Sequence, residues 1–413
     1  MFLRFPKDFF WGTATSAHQV EGNNRNDWTE WEKDNASCLA DESHRKWQSW
    51  QQKKFPEMFN PDNYISGKAC DHYNLFEKDF DIAKKLGHNA HRFSIEWSRI
   101  EPEEGRFNEK EIEHYRKVIT ALKKREMEPL VTLWQFTLPM WIANNGGVSH
   151  RKFTSYFARY ASKIASAFPE VKLWITLNEP DVFAGRAYLK GFWPPEKHNA
   201  FSYLRALNNL VQAHKAAHKE IKKVNLSARV GIAKHNVYFE MAKDTALNRI
   251  LKFGADLWWN RYFLWRIKNY QDFIGLNYYN RNLINNGYYK NKNIKLTDFG
   301  WEYWPSSLYG ALMDLKMYNL PVYITENGIA DSDDNQRSEF LSITLESAAK
   351  AIRDGIDVRG YFYWSLLDNF EWDKGFWPRF GLVEVDYKTQ KRTIRKSAAY
   401  YRDIILKNGV ELG

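Results

Sequence analysis

Short apolar runs alternate with longer amphipathic segments along the chain, and this alternation repeats eight times. Short runs rich in Val, Ile, Leu and aromatic residues are typical of buried parallel strands, and amphipathic segments between such runs are typical of helices. The pattern therefore predicts a series of βα units. The eight predicted strands are 9–17, 89–95, 129–135, 171–178, 228–235, 272–279, 321–327 and 358–365.

The amphipathic segments also carry signals for helix ends. In 108–125, apolar residues from Ile112 to Leu122 recur every three or four positions, as on one face of a helix. Asn108 precedes them with Glu111 three residues later, which resembles a capping box. Further helices of this kind are predicted at 149–168, 201–223 and 337–354.

Eight strands separated by helices predict an α/β fold closed as a (β/α)8 TIM barrel. A doubly wound open sheet is the alternative, but it would be expected to carry a glycine-rich phosphate turn after the first strand, and the sequence has none there. No linker-like composition interrupts the series, so residues 1–413 are predicted to form a single domain. Long loops at the barrel mouth are predicted at about 18–66, 280–304 and 366–380.

Two of the predicted strands end in a glutamate. ITLNEP (175–180) places Glu179 where Pro180 should stop a strand, and PVYITENG (321–328) places Glu326 at the end of another. A solvated loop position would explain either residue, whereas a lone buried carboxylate is costly. Carboxyl ends of barrel strands meet at one end of the fold, and two carboxyls converging on one pocket are what glycoside hydrolysis requires.

Other polar or aromatic side chains also lie at or near the predicted strand ends. Such groups collecting at one end of otherwise apolar strands are hard to explain by packing alone. They therefore indicate that this end of the barrel is functional. They are Gln19, Arg92, Gln135, Tyr278, Tyr279 and Trp364.

The aromatic content and the net charge bear on which kinds of molecule the protein binds. The chain has 18 Trp, and aromatic residues make up 16% of it. These rings either belong to the core or line a pocket for sugars, whose C–H faces pack on indole rings. The net charge is +10, but Lys and Arg are scattered over helical segments, and no RNA- or DNA-binding signature is present. No nucleic-acid partner is expected.

The cysteines and the hydropathy pattern bear on cofactors and location. Cys38 and Cys70 are the only cysteines and have no metal-ligand spacing, so neither a metal nor another cofactor is predicted. A disulfide framework is not expected. The start of the chain lacks the apolar region of a signal peptide, and no run approaches the roughly 18 apolar residues of a membrane span. A cytoplasmic protein is expected, and its oligomeric state is left open.

At this level of detail the chain resembles glycoside hydrolase family 1, the β-glucosidase and β-glycosidase family. The resemblance extends over nearly the whole chain. The motifs that carry it, in order, are FWGTATSAHQVEG (10–22), HRFSIEWSR (91–99), ITLNEP (175–180), DFIGLNYY (272–279), ITENG (324–328), YWSLLDNFEW (363–372) and RFGLVEVDY (379–387). The resemblance implies an exo-acting enzyme that hydrolyses small β-linked glycosides from the nonreducing end by a retaining, double-displacement mechanism.

The resemblance also assigns roles to individual residues. It implies that Glu326 is the nucleophile and Glu179 the general acid/base. Arg92 and Tyr279 would flank the nucleophile, and Asn178 would bond the 2-hydroxyl of the sugar. The remaining matches would hold that sugar: Gln19, Glu371 and Trp372 at its far hydroxyls, Trp364 beneath its ring, and Phe380 as a further aromatic wall.

One position departs from the family pattern. The family usually has His where this chain has Gln135, in LWQFTLP (133–139). Gln can still donate and accept, but it is longer and less rigid, so the sugar preference is left open. Transglycosylation on the same site is an alternative function. A catalytically weak sugar-binding protein is another, although both glutamates are present.

Overall fold

The computed structural model describes residues 2–292 and 295–411, and its centre is a closed barrel of eight parallel strands. Each strand lies within or largely overlaps one of the eight predicted runs, so the predicted strands and the (β/α)8 barrel are confirmed. The barrel strands, numbered in chain order, are β1 Phe10–Ala14, β2 Ala90–Ser94, β3 Glu128–Trp134, β4 Leu173–Asn178, β5 Arg229–His235, β6 Ile274–Asn277, β7 Val322–Asn327 and β8 Val358–Trp364.

The spatial order of the strands is the order of the chain. Each strand pairs in parallel with the next, and β8 closes the barrel against β1, with Gly360 opposite Phe10 and Trp364 opposite Ala14. All eight carboxyl ends therefore open at the same end of the barrel, which is where barrel enzymes place their chemistry.

Helices cover the outside of the barrel. The four predicted helices are confirmed, with ends within a few residues of those expected. The α-helices of eight or more residues are Asp27–Lys46, His72–Lys85, Glu109–Lys124, Phe153–Ala167, Ala200–Val224, Ala246–Ala255, Arg337–Arg353 and Lys396–Lys407. Shorter α-helices are Ala17–Val20, Ser49–Lys54, Trp97–Ile100, Met140–Ala143, Pro180–Ala184, Tyr262–Ile267 and Leu308–Met313, and π-helical turns occupy Gly185–Leu189 and Asp256–Arg261.

Three short strand pairs lie outside the barrel. They are Phe2–Arg4 with Gly409–Glu411, Val383–Val385 with Arg392–Ile394, and Tyr238–Met241 with Arg281–Ile284.

The N-terminal cap of the helix Glu109–Lys124 is only partly as predicted. The Asn108 side chain accepts the backbone N–H of Lys110 at 3.1 Å, as an N-cap does. Glu111 does not complete a capping box, because its carboxylate accepts the hydroxyl of Tyr73 at 3.2 Å instead.

The core has two layers, set by the alternation of side chains along each strand. Residues such as Leu173 and Ile175 pack with residues of the other strands inside the barrel. Trp174, between them, packs in the larger cluster that joins the strands to the helices. Apolar residues thus occupy much of both faces of the barrel strands.

The segment 18–66, predicted as a long loop at the barrel mouth, is largely helical. It contains the 20-residue helix Asp27–Lys46. The side chain of Asn26 accepts the N–H of Thr29 at 3.0 Å, and Thr29 accepts the N–H of Asn26 at 3.0 Å, which caps the helix. Trp28 and Trp31, three residues apart, turn inwards and are buried. The tryptophans of this segment thus follow a helical period.

The structure was also searched for helices that could cross a membrane. Within residues 2–292 and 295–411, no helix combines the length and the apolar character needed to do so.

A close approach of two strands makes a test of the barrel packing possible. A Cβ on Gly12 of β1 would lie 2.3 Å from the carbonyl oxygen of Ala90 on β2. Gly12→Ala should therefore destabilise the protein by about 1–3 kcal/mol through overpacking, measured as a lower unfolding midpoint in denaturant. Gly254→Ala is the matched control, because that helical glycine has open space around its Cβ. Equal midpoints for the two variants would contradict this close packing of β1 against β2.

Candidate active site

A cavity of about 390 Å³ opens at the carboxyl ends of the barrel strands. The structure brings the predicted site residues together here, and Arg92 is fully buried beneath the cavity, in contact with Glu326. Those that line the cavity are Gln19, Gln135, Asn178, Glu179, Tyr279, Glu326, Trp364, Glu371, Trp372 and Phe380. Tyr278, which was also expected at this end, is buried elsewhere, and its hydroxyl donates to Ser307.

Glu326, near the end of β7, is held by two donors. Arg92 Nη1 donates to Oε1 at 2.6 Å, and the Tyr279 hydroxyl donates to Oε2 at 2.7 Å. The second arm of the Arg92 guanidinium donates to Asn178 Oδ1 at 2.6 Å. A buried cation and a hydroxyl donor both favour the ionised form of a carboxyl. Glu326 therefore has the environment of a carboxylate anion.

Glu179 lies one residue beyond β4, in an unusual backbone conformation. Its φ is 43°, and its N–H donates to the carbonyl of Ala233 on β5 at 2.7 Å. Few residues other than glycine adopt positive φ, and such strain often marks functional sites. Pro180 follows as the first residue of the helix Pro180–Ala184. The turn therefore holds the side chain of Glu179 at the cavity.

The electrostatic environment of Glu179 is opposite to that of Glu326. Burial and, next, the negative charge of Glu326 raise the pKa of Glu179 to about 8, although a hydrogen bond from Asn277 opposes the shift. Burial disfavours a charged carboxyl, and a like charge nearby disfavours it further. The raised pKa of Glu179 favours its protonated form, as acid catalysis beside a second carboxylate requires.

Asn277, which the sequence did not single out, links the two strand ends. Its Nδ2 donates to Glu179 Oε1 at 2.8 Å and to Asn178 Oδ1 at 3.1 Å, and its Oδ1 accepts the Thr325 hydroxyl at 2.7 Å. It is the last residue of β6. The rule that located the glutamates, a polar residue at the end of an apolar strand, would have identified it too.

Gln19 and Glu371 form a second polar group in the cavity. Gln19 Nε2 donates to Asn369 Oδ1 at 3.0 Å and to the carbonyl of Phe370 at 2.8 Å, and it lies 3.4 Å from Glu371 Oε2. Burial, followed by the charges of Glu326 and Asp373, raises the pKa of Glu371 to about 8. The Oε1 of Gln19 is buried and has no partner in residues 2–292 or 295–411. These atoms are positioned to bind hydroxyl groups.

Aromatic rings form much of the remaining wall. Trp364 and Phe380 pack in one cluster within the barrel mouth. Trp372 is backed by Trp28 at 4.7 Å between ring centroids. Trp28 therefore supports the wall from behind and is not itself among the residues that line the cavity.

The two other predicted mouth segments do line the cavity. The segment 366–380 supplies Glu371, Trp372 and Phe380, together with the ion pair Asp373–Lys374. The segment 280–304 supplies Phe299 and Trp301, which the sequence did not single out. Residues 293 and 294 of that segment lie outside the described residues.

Gln135 lies in the cavity wall, as predicted, with only 5% of its surface exposed. Its Oε1 is buried and has no hydrogen-bond partner in the described part of the chain. A buried unpaired acceptor is costly unless something else satisfies it. Its position in the cavity wall suits contact with a ligand.

The arrangement can support acid-assisted displacement at a carbon centre. It offers a carboxylate bonded by Arg92 and Tyr279, a second carboxyl whose pKa is raised, and several groups suited to hydroxyls. Over residues 2–292 and 295–411, no cluster of three or more His, Cys, Asp or Glu residues could hold a metal ion.

The chain was compared with family profiles, curated proteins and solved structures. The family profile described as Glycosyl hydrolase family 1 matches residues 2–264 and 240–410. Beta-glucosidase A of Thermotoga maritima is 34% identical over 99% of both chains. The structure of a beta-glycosidase from Pyrococcus horikoshii is 39% identical and has a TM-score of 0.87 over 100% of this chain and 97% of that one. A beta-glucosidase from T. maritima in complex with glucoimidazole is 32% identical, with a TM-score of 0.86 over 99% of this chain and 100% of that one. The chain therefore belongs to glycosyl hydrolase family 1 and is a glycoside hydrolase.

Proposed function

We propose that the protein is a retaining, exo-acting β-glycosidase of the β-glucosidase type. The observation that carries the proposal is the contrast between the two strand-end glutamates in one cavity. Glu326 is bonded by Arg92 and Tyr279, whereas the pKa of Glu179 is raised to about 8. The names of the relatives, a beta-glucosidase and a beta-glycosidase, agree with this substrate class.

In the first step, ionised Glu326 attacks the anomeric carbon and forms a glycosyl ester. The bond from that carbon to the aglycone oxygen breaks, and Glu179 gives its proton to that oxygen, so that the aglycone leaves as a neutral alcohol. Asn178 accepts a bond from Arg92, which orients its amide for the 2-hydroxyl of the sugar. A contact to that hydroxyl that strengthens in the oxocarbenium-like state would lower the barrier.

In the second step, the same groups act in reverse on water. Once Glu326 is an ester it carries no charge, and one cause of the raised pKa of Glu179 is removed. Glu179 then takes a proton from water, whose oxygen bonds to the anomeric carbon and releases Glu326 as a carboxylate. The two displacements together retain the β configuration.

The other cavity groups would hold the nonreducing-end sugar. Gln19 and Glu371 offer acceptors and donors for its far hydroxyls, and the rings of Trp364 and Trp372 offer surfaces for its C–H groups. Phe380 completes the wall beside Trp364. Such a set recognises one terminal sugar, which agrees with exo action on small β-glycosides.

The assignment of Glu326 as nucleophile can be tested by chemical rescue. Glu326→Ala should abolish turnover of an aryl β-glucoside, because no carboxylate remains to form the ester. Azide or formate should restore part of the rate by occupying the space, and the azide product should be an α-glycosyl azide, identified by NMR. Near-native activity of the variant without added anion would rule out this role.

The assignment of Glu179 as acid predicts a pH profile. Because its proton is needed, kcat/KM for a poor leaving group should fall as the pH rises above about 8.

Glu179→Gln should slow glycosylation by about 10²–10⁴-fold for poor leaving groups and much less for activated ones. Equal losses for both leaving groups would count against the acid role. A basic limb that persists in Glu179→Gln would belong to another cavity group with a pKa of about 8, which is raised for Glu371 and lowered for Lys374.

Gln135 is expected to contact a ring hydroxyl through its unpaired Oε1. A misplaced or unsatisfied hydrogen bond costs about 1–3 kcal/mol, roughly a 5- to 150-fold effect. Gln135→His should therefore change the ratio of kcat/KM between aryl β-glucoside and aryl β-galactoside, which differ at one hydroxyl, by several-fold or more. If the ratio stays constant while the unfolding midpoint shifts, the side chain serves packing and the contact must be dropped.

A further inference from the structure

Half of the exposed large apolar side chains that the structure describes lie in two segments, 186–205 and 243–268. The helix that begins in the first segment packs against the second. The ring centroids of Tyr203 and Trp258 are 6.4 Å apart, and Arg266 Nη2 donates to Asn208 Oδ1 at 2.8 Å. The exposed apolar side chains of the two segments therefore form one surface, which we call the apolar patch.

The helix Ala246–Ala255 in this patch already has an apolar face turned to the protein. Leu251 and Ala255 pack against a buried apolar cluster beneath them. The side chain of Asn248 is buried on the same side. Its Nδ2 donates to the carbonyl of Lys243 at 2.9 Å, and its Oδ1 accepts the N–H of Asn286 at 2.8 Å. These contacts fix the rotation of the helix about its own axis.

The outer side of the same helix is apolar as well. Leu247, Ile250 and Phe253 are three residues apart, and Leu257 follows one turn later. Residues at this spacing share one face of a helix. All four side chains are exposed. Because a helix with apolar residues all round is normally buried, this outer face indicates a binding surface.

The patch reaches the mouth of the cavity and carries two indole rings. Leu189 and Trp258 belong to the patch and also line the cavity. Trp265, further along the second segment, is exposed too. Tryptophan is enriched where a membrane meets water, because its ring is apolar and its N–H is polar. The rings thus suit a lipid surface.

The charge around the patch is strongly positive. Segments 186–205 and 243–268 contain ten Lys or Arg residues but three Asp or Glu residues. All ten basic side chains are at least partly exposed. Two of the acidic side chains are paired within the second segment, Asp244 with Arg249 at 2.6 Å and Asp256 with Lys252 at 2.7 Å. An apolar face surrounded by basic residues is complementary to a bilayer that contains anionic lipids.

A second copy of the chain is the competing occupant. The commonest dimer has twofold symmetry and places the same patch of both copies face to face. The basic residues of one copy would then lie opposite those of the other. Like charges that face each other across an interface oppose association. The charge around the patch therefore favours an anionic surface over a second copy.

We propose that the apolar patch docks the protein on a bilayer that contains anionic lipids. Leu247, Ile250, Phe253 and Leu257 enter the boundary between headgroups and acyl chains, and the helix lies in the plane of the surface. The Lys and Arg residues of the two segments stay at the level of the lipid phosphates. This docking is binding alone and does not depend on the proposed reaction. It brings the mouth of the cavity next to the membrane.

Co-flotation with vesicles tests the choice of partner. One set of vesicles is phosphatidylcholine alone, and the other contains phosphatidylcholine and phosphatidylglycerol in equal parts. The protein should bind the anionic vesicles about tenfold more tightly or better, and added salt should weaken that binding. Binding to neither set, or equal binding to both, would overturn the proposal.

A double variant, Ile250→Gln with Phe253→Gln, tests the patch itself. These side chains are 69% and 62% exposed and lie outside the cavity lining, so the unfolding midpoint and the activity on an aryl β-glucoside should stay close to those of the parent. Binding to the anionic vesicles should weaken by about tenfold or more, because two apolar side chains no longer enter the bilayer.

The matched control is Leu226→Gln with Leu406→Gln. These leucines are 82% and 71% exposed and lie outside both segments of the patch. The control should bind the anionic vesicles as the parent does. Equal affinities of the two double variants would contradict a role of the patch.

Phe201→Gln provides an independent variant in the other segment and keeps the test valid if the double variant unfolds. Phe201 is 85% exposed and lies outside the cavity lining. Its replacement should weaken vesicle binding by several-fold, and unchanged binding would count against the patch. Sedimentation velocity addresses the second copy. A dimer that dissociates in Phe201→Gln, together with no vesicle binding by the parent, would overturn membrane docking in favour of self-association.

Discussion

The pairing of Arg92 with Glu326 is the interaction on which the rest of the site depends. The guanidinium is fully buried and bonds groups from three other strands: the Thr132 hydroxyl on β3, Asn178 on β4, and the Thr325 carbonyl and Glu326 carboxylate on β7. Breaking a buried ion pair by removing one partner typically costs about 3–5 kcal/mol, because an uncompensated charge remains. The carboxylate proposed for chemistry is therefore also the anion that a buried cation requires.

Three carboxyls of the cavity differ in their hydrogen-bond partners. Arg92 donates to Glu326, whereas Glu179 receives the neutral amide of Asn277 and Glu371 lies beside the amide of Gln19. Burial and, next, the charge of Glu326 raise the pKa values of Glu179 and Glu371. The position of the Arg92 guanidinium thus separates Glu326 from the two carboxyls whose pKa values are raised.

Structural features that depend on the local pattern of apolar and polar residues could be predicted from the sequence. Apolar runs locate all eight strands, and a parallel barrel places the carboxyl ends of its strands together, so the pattern alone brings Glu179 and Glu326 into one pocket. The hydrogen bonds of Asn277 could not be predicted, because they depend on how β4, β6 and β7 are staggered. The helix at Asp27–Lys46 was missed because the whole segment 18–66 was assigned to a loop at the barrel mouth. The two π-helical turns were not predicted either, since the periodicity of apolar residues was used only to distinguish strands from helices.

The closure of the barrel by β1 against β8 has a consequence for biosynthesis. Gln19 reaches its partners Asn369 and Phe370 only after that closure, and Phe2–Arg4 pairs with Gly409–Glu411. A nascent chain that has emerged as far as β7 already contains both glutamates, yet β1 and β7 still present unpaired edges that invite association with other chains. Contacts of such long sequence separation also form slowly. Gln19 can therefore gain its partners only once the last barrel strand has been synthesised and has paired with β1.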